Sequence, residues 1–244
     1  AVSEFEKKYN NFSLRDSVKG IADNFYTEIF ENKYGYVIDK TPRYYEILDL
    51  IQLLYPSSKV LILKRNPIDV IYSLVKKRNI VKADDLIWNN RDLLNAPFLM
   101  QNFLDKNENN KNIIELNYED LVSSPYSSFK KIYQKIGIEY NDDVLNIENN
   151  KKTLGKFGDK NLNSSHKFSK ILKKTDKPAL TKEINRFIQG YLDFITSNFL
   201  LKYGNYEVDD IKVKKTKVFN NYMIKATKEN KSLEKSIYNK FKRI

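Results

Sequence analysis

KVLILKRNPIDVIYSLVKKR, residues Lys59 to Arg78, decides how this chain is read. Val60 to Leu63 is a short aliphatic run of the kind found in a parallel-sheet strand buried on both faces. The run stops at Lys64-Arg65-Asn66-Pro67, and from Pro67 the period changes. Ile68, Ile71, Leu74 and Val75 recur at three- and four-residue steps, which puts them on one face of a helix. Asn66 suits the N-cap, Pro67 the first helical position and Asp69 the first turn. Strand, turn and helix in this order make an anion site, because the first helical amides and the dipole point beyond the strand's carboxyl end. Arg65 stands there with a planar fork that can hold a phosphate through two parallel hydrogen bonds. Ser73, about two turns along, adds a hydroxyl for a ligand lying along the helix side. A plain βα unit with a surface arginine and a capping asparagine accounts for the same residues without a ligand.

Composition bounds the alternatives. The 244 residues are enough for one core of good size and an appendage. Hydrophobic residues make up 41% and aromatic residues 13%, which suits a globular fold rather than a disordered chain. Without cysteine there is neither a disulfide framework nor a thiolate metal site, and a single histidine argues against a His-based zinc site. No apolar run reaches transmembrane length and the N-terminus lacks a signal-peptide pattern, so a soluble, cytoplasmic protein is expected. The formal net charge is +12. Residues 211–244 carry eleven Lys or Arg and two Glu, so about +9 of it sits in that tail. Specific nucleic-acid binding, which wants charge spread over a folded face, is therefore disfavoured, while a local positive site for a nucleotide remains.

Outward from the central unit, a βα rhythm repeats. Residues 1–34 read as one or two amphipathic helices packed on a sheet, with Val18, Ile21, Phe25 and Ile29 as the apolar stripe. Tyr36 to Asp39 reads as a strand, and Thr41-Pro42 as the cap and first position of a helix ending at Leu54-Tyr55, before Pro56. Leu86 to Phe103 reads as a helix with Trp88 as a core or half-buried residue. Asn112 to Leu116 is the next strand, Tyr118 to Val122 a helical turn, and Pro125 to Ile136 a helix stopped by Gly137. Strands at 36–39, 60–63 and 112–116, each followed by a helix, predict parallel right-handed crossovers. Leu180 to Leu201 reads as a helix burying Ile184, Phe187, Ile188, Leu192 and Ile195. The predicted division is an α/β domain over 1–205 and a Lys-rich helical tail over 206–244. The tail's apolar spots at Val218, Tyr222, Leu233, Ile237 and Phe241 suit docking on a polyanion, a membrane surface or a protein partner, or simply a solvated appendage.

Three segments carry a resemblance. Arg65-Asn66-Pro67, Asp69-Val70 and Ser73 form R-N-P-x-D-V-x-x-S; Asp39-Lys40-Thr41-Pro42 precedes it; Asn117-Tyr118-Glu119-Asp120-Leu121-Val122, with Pro125 beyond, follows it. Together they resemble the sulfotransferases that use 3′-phosphoadenosine 5′-phosphosulfate (PAPS), and the carbohydrate-type members in particular. The likeness spans about residues 30–205, with three motifs in the expected order. It implies a P-loop-NTPase-like parallel sheet flanked by helices, PAPS as co-substrate without a metal, and a hydroxyl or amine acceptor on a carbohydrate or related molecule.

By this resemblance Arg65 and Ser73 hold the donor's 3′-phosphate, and Lys40 steadies charge on the sulfuryl group. Read alone, Lys40 is a surface lysine. Trp88 and Arg91 lie where relatives face the acceptor, and the Y-E-D-L-V segment is structural in them. The polar loop 149–170, with Gly158-Asp159, Lys156 and Lys167, echoes one that closes over the nucleotide, or is an ordinary basic surface loop. His166 lies in that loop, away from any position matching a family base. Members also carry an earlier βα unit whose loop binds the 5′-phosphosulfate. This sequence has no GxxxxGK[ST], and Gly20 in SVKGIAD follows a polar helical stretch, so the expectation is an N-terminally incomplete domain with no placed catalytic base. The alternatives are a non-catalytic nucleotide-binding or interaction module on the same fold and, against the absent Walker lysine, a P-loop kinase relative.

Overall fold

A computed structural model describes residues 14–30, 35–145, 178–206 and 216–241. The chain divides into two compact units, Ala1–Ser58 and Lys59–Ile244. Among the described residues the protein is mixed α/β, mostly helical, with one two-stranded parallel sheet.

In the first unit, α1 spans Leu14–Phe30, a 3-10 turn Tyr44–Glu46, and α2 Leu48–Leu54. Three expectations fail here. Residues 36–39 form no strand: Tyr36, Val37 and Ile38 are exposed and join no ladder among the described residues, so strand-like composition alone does not make a strand without a partner. The helix expected from Pro42 begins only at Leu48, because Arg43 and Ile47 have non-helical backbones around the intervening 3-10 turn. On α1, Val18, Ile21 and Phe25 are exposed rather than packed on a sheet. Polar contacts organise this unit instead. Asp23 accepts from the Tyr55 hydroxyl at 2.8 Å and pairs with Lys19 at 2.5 Å. The Asp39 carboxylate accepts from the hydroxyls of both Tyr26 and Tyr44.

The second unit holds the sheet. Strand β1, Val60–Lys64, pairs in parallel with β2, Ile113–Asn117, in the register Val60 to Ile113 through Lys64 to Asn117. Ile62 and Lys64 turn inward, whereas Leu61 and Leu63 are 47% and 45% exposed. The strand is therefore covered on one face, not both as its aliphatic run suggested. Their β2 neighbours Ile114 and Leu116 are buried against Ile132 of the helix Pro125–Ile136.

After β1 comes α3, Pro67–Arg78. The Asn66 side chain caps it by accepting from the Ile68 amide at 2.9 Å, Pro67 occupies the first turn, and Asn79 closes it in the left-handed region at φ 50°. Lys76, Lys77 and Arg78 complement the carboxyl-end dipole. The stretch read as one helix from Leu86 to Phe103 is three pieces: a 3-10 segment Ala83–Asn89, α4 Asn90–Leu94 and α5 Ala96–Lys106. Pro97 explains the last break, since proline belongs in a helix's first turn and disrupts an interior. Trp88 is 73% exposed, not core; Leu86 and Leu93 are the buried anchors of this stretch. Beyond β2 lie α6 Tyr118–Ser123 and α7 Pro125–Ile136, the latter capped by Gly137 at φ 86°.

The main core lies among α3, the 83–94 stretch and three later helices: α8 Lys182–Ile195, α9 Ser197–Gly204 and α10 Lys217–Phe241. The five residues expected to line α8's buried face are all buried. The expected single helix is broken at Thr196, whose φ of 65° leaves the helical region while its hydroxyl caps α9 at the Phe199 amide. Helix α10 places Phe219, Tyr222 and Ala226 in the core, so Tyr222 is used by the chain's own packing rather than offered to a partner. Gly190 on α8 admits this contact: a Cβ there would collide with the Phe219 side chain.

Candidate functional site

The site grows from the ends of the two strands. Lys64 closes β1 facing inward, 1% exposed, and forms an ion pair with Glu115 of β2. Its ammonium also lies 4.9 Å from the centroid of the Tyr203 ring and 3.5 Å from Gln101 Oε1. A buried ammonium needs such partners, so Lys64 is committed to holding the sheet against α5 and α9.

Arg65 comes next and is half-buried. Its guanidinium lies 4.4 Å from the centroid of the Tyr118 ring, within cation–π range. Asn66 donates its amide to Glu119 Oε1 at 3.0 Å, and the Tyr206 hydroxyl donates to Glu119 Oε2 at 2.7 Å. Burial first, and then the bond to Glu119, push the Tyr206 phenol far above its ordinary value, so it stays protonated and donates. Burial likewise raises Tyr203, with Glu119 and Glu115 adding to the shift.

These contacts change the anion site that the strand–turn–helix order suggested. The Asn66 amide goes to Glu119, the Ile68 amide to the Asn66 side chain, and Pro67 has no N–H. The amide cradle is thus largely satisfied from within, and an anion here is met chiefly by side chains. Arg65 also lines a cavity of about 130 Å³ with Pro67, Val70, Met100, Tyr191 and Tyr203. Ser73 is half-buried on α3, one turn beyond Val70 on the same side of the helix and about 9 Å along the axis from Pro67.

The remaining predicted residues lie on other elements. Lys40 is exposed in the first unit, directly after the tyrosine-held Asp39. Arg91 is half-buried on α4. Lys156, His166 and Lys167 lie outside the described residues, as does Gly158-Asp159. Among the described residues no group of three or more His, Asp or Glu could hold a metal ion, and no helix is long and apolar enough to cross a membrane.

What sequence reasoning missed is the part played by Tyr118, Glu119 and Tyr206. A signal for two of them was present. With Lys64 opposite Asn117, one further step of the parallel register sets Arg65 opposite Tyr118 and a second sets Asn66 opposite Glu119. The motif following β2 is therefore the neighbour of the motif following β1. Tyr206 joins from the distant end of α9 and carries no such signal.

The model of the sulfotransferase family matches residues 7–142. The chain is 26% identical over 128 residues to an uncharacterized protein of Aquifex aeolicus (strain VF5). That alignment covers 50% of this chain and 17% of the relative, so the chain spans about a sixth of the relative's length. No solved structure matches.

Proposed function

The chain belongs to the sulfotransferase family, and on that footing we propose that it transfers a sulfuryl group from PAPS to a hydroxyl or amine of a carbohydrate or related acceptor. The acceptor oxygen or nitrogen attacks sulfur in line. The bond between sulfur and the bridging 5′-phosphate oxygen breaks, and its electron pair leaves with adenosine 3′,5′-bisphosphate. The acceptor's proton passes to a base or to water. Catalysis of this kind rests on positioning and on positive charge around the sulfuryl oxygens.

One observation carries the reading: Arg65, at the carboxyl end of a parallel strand and over the Tyr118 ring, in a chain of this family. In this account Arg65 grips the donor's 3′-phosphate and Ser73 adds a hydrogen bond from α3. Lys40 is assigned to the sulfuryl charge by its motif, and Lys156 and Lys167 to the nucleotide by theirs. The P-loop-like fold and a partner for the basic tail belong to the same proposal.

The test is transfer of radiolabelled sulfuryl from PAPS to a panel of glycans, hydroxyl and amine acceptors, with Arg65→Ala and Lys40→Ala in parallel. Product from the wild type that falls with each variant supports the assignment. Bisphosphate binding without product on any acceptor points to a nucleotide-binding module instead.

A further inference from the structure

We propose that Tyr118 and Glu119 are positioning residues for Arg65, pre-orienting its guanidinium for a phosphate. This deepens the reading of Arg65 as the 3′-phosphate arginine and rests on it.

A parallel pair brings the residues that follow each strand side by side, and here the pairing continues past the sheet in chemical form. The Arg65 guanidinium lies over the Tyr118 ring, 4.4 Å from its centroid, and the next amide, of Asn66, bonds to the next carboxylate, of Glu119. The turn is pinned twice, by a cation–π contact on the side chain and by a hydrogen bond on the backbone. Glu119 is itself fixed from the other side by the Tyr206 hydroxyl at the end of α9.

The two uses of the guanidinium do not compete. Stacking on a ring occupies the face of the planar group, whereas a phosphate is bound through its N–H edge. A ring beneath an arginine removes rotamer freedom before a ligand arrives, so less is lost on binding. Lysine, a compact point charge, offers no separate face and edge. The carboxylate has a further consequence. Because Glu119 takes the Asn66 amide and the Asn66 side chain takes that of Ile68, affinity for an anion is concentrated on the Arg65 side chain, where its orientation matters most.

The experiment uses the full chain in two measurements. In the first, the side-chain Nε–H resonance of Arg65 is followed by ¹⁵N NMR in the wild type, Tyr118→Phe and Tyr118→Leu. The ring current of Tyr118 should shift it upfield in the wild type and in Tyr118→Phe, and the shift should vanish in Tyr118→Leu. In the second, calorimetry gives the ratio of affinities for adenosine 3′,5′-bisphosphate and adenosine 5′-monophosphate, which isolates the 3′-phosphate. Tyr118→Phe should keep the ratio within about two-fold and Tyr118→Leu should lower it about five-fold, the size of an exposed cation–π contact. The monophosphate affinity should not move. An unchanged ratio in Tyr118→Leu, or equal losses for both nucleotides, overturns the proposal, the second because it marks a merely structural role. Should Tyr118→Leu fail to fold, Tyr206→Phe replaces it, with a smaller fall of the same ratio expected and an unchanged ratio counting against. Arg65→Ala separates the two levels of inference. A ratio that survives Arg65→Ala, or a wild type with no preference for the 3′-phosphate, overturns the parent reading and this proposal with it. A ratio that Arg65→Ala abolishes and Tyr118→Leu spares overturns only the positioning role.

Discussion

Tyr222 and Leu63 mark two different halves of the second unit. Tyr222 is fully enclosed, packed on Phe187 with ring centroids 4.8 Å apart and donating to the Leu86 carbonyl. Leu63, on the sheet, is nearly half exposed. The helical half is held by dense aromatic packing among α8, α10 and the 83–94 stretch. The strand ends are held by a handful of polar and stacking contacts: Lys64 to Glu115, Arg65 on Tyr118, and Glu119 to Asn66 and Tyr206. Stability therefore resides chiefly in the first region and the proposed ligand site lies in the second, so substitutions should separate the two.

The largest effect is expected at Tyr222. Truncating it to alanine opens a cavity in the helical core and should cost about 3–5 kcal/mol in denaturant unfolding. The folded fraction should still bind bisphosphate with wild-type affinity. Next comes Arg65→Ala, which should lower bisphosphate affinity by about 1.5–3 kcal/mol, the worth of hydrogen bonds to a charged group, and leave the thermal midpoint nearly unmoved. Loss of both together would break the separation. Gly190→Ala drives a methyl into Phe219 and should destabilise by about 1–3 kcal/mol, as overpacked cores do; an unchanged unfolding midpoint would mean that α10 seats less tightly than described.

The pH dependence sharpens the same contrast. Burial raises the phenols of Tyr191, Tyr203, Tyr206 and Tyr222 above their ordinary value. The folded state then holds protons that the unfolded chain releases above pH about 10. Their contribution is full below that pH and is lost as pH rises past it, by at most about 1.4 kcal/mol per pH unit for each phenol. Denaturation series at pH 8 to 11 should be flat and then fall. The smallest effect belongs to Trp88→Ala, at most about 0.5 kcal/mol for an exposed side chain.

The same division governed what the sequence disclosed. Local chemistry was legible: the Asn66 cap, Pro67 in the first turn, the Gly137 stop and the stripe from Ile184 to Ile195 all depend on neighbours within a few residues. Features that depend on distant partners were not. Residues 36–39 have strand-like composition and no pairing partner among the described residues. Trp88 lies in an irregular 3-10 segment, where helical spacing assigns no reliable inside. Tyr222 gave the look of an exposed tail residue because the α8 surface that receives it, opened at Gly190, lies some thirty residues earlier in the chain. Of the candidate site, the motif gave Arg65's place after the strand, while the neighbouring ring and carboxylate followed only from the strand register.

The most direct test is calorimetric titration of adenosine 3′,5′-bisphosphate into the wild type, Arg65→Ala and Tyr222→Ala, each with its unfolding free energy measured alongside. Binding should weaken by about 1.5–3 kcal/mol in Arg65→Ala at nearly wild-type stability, and be retained in Tyr222→Ala at much reduced stability. Undiminished binding in Arg65→Ala would contradict this.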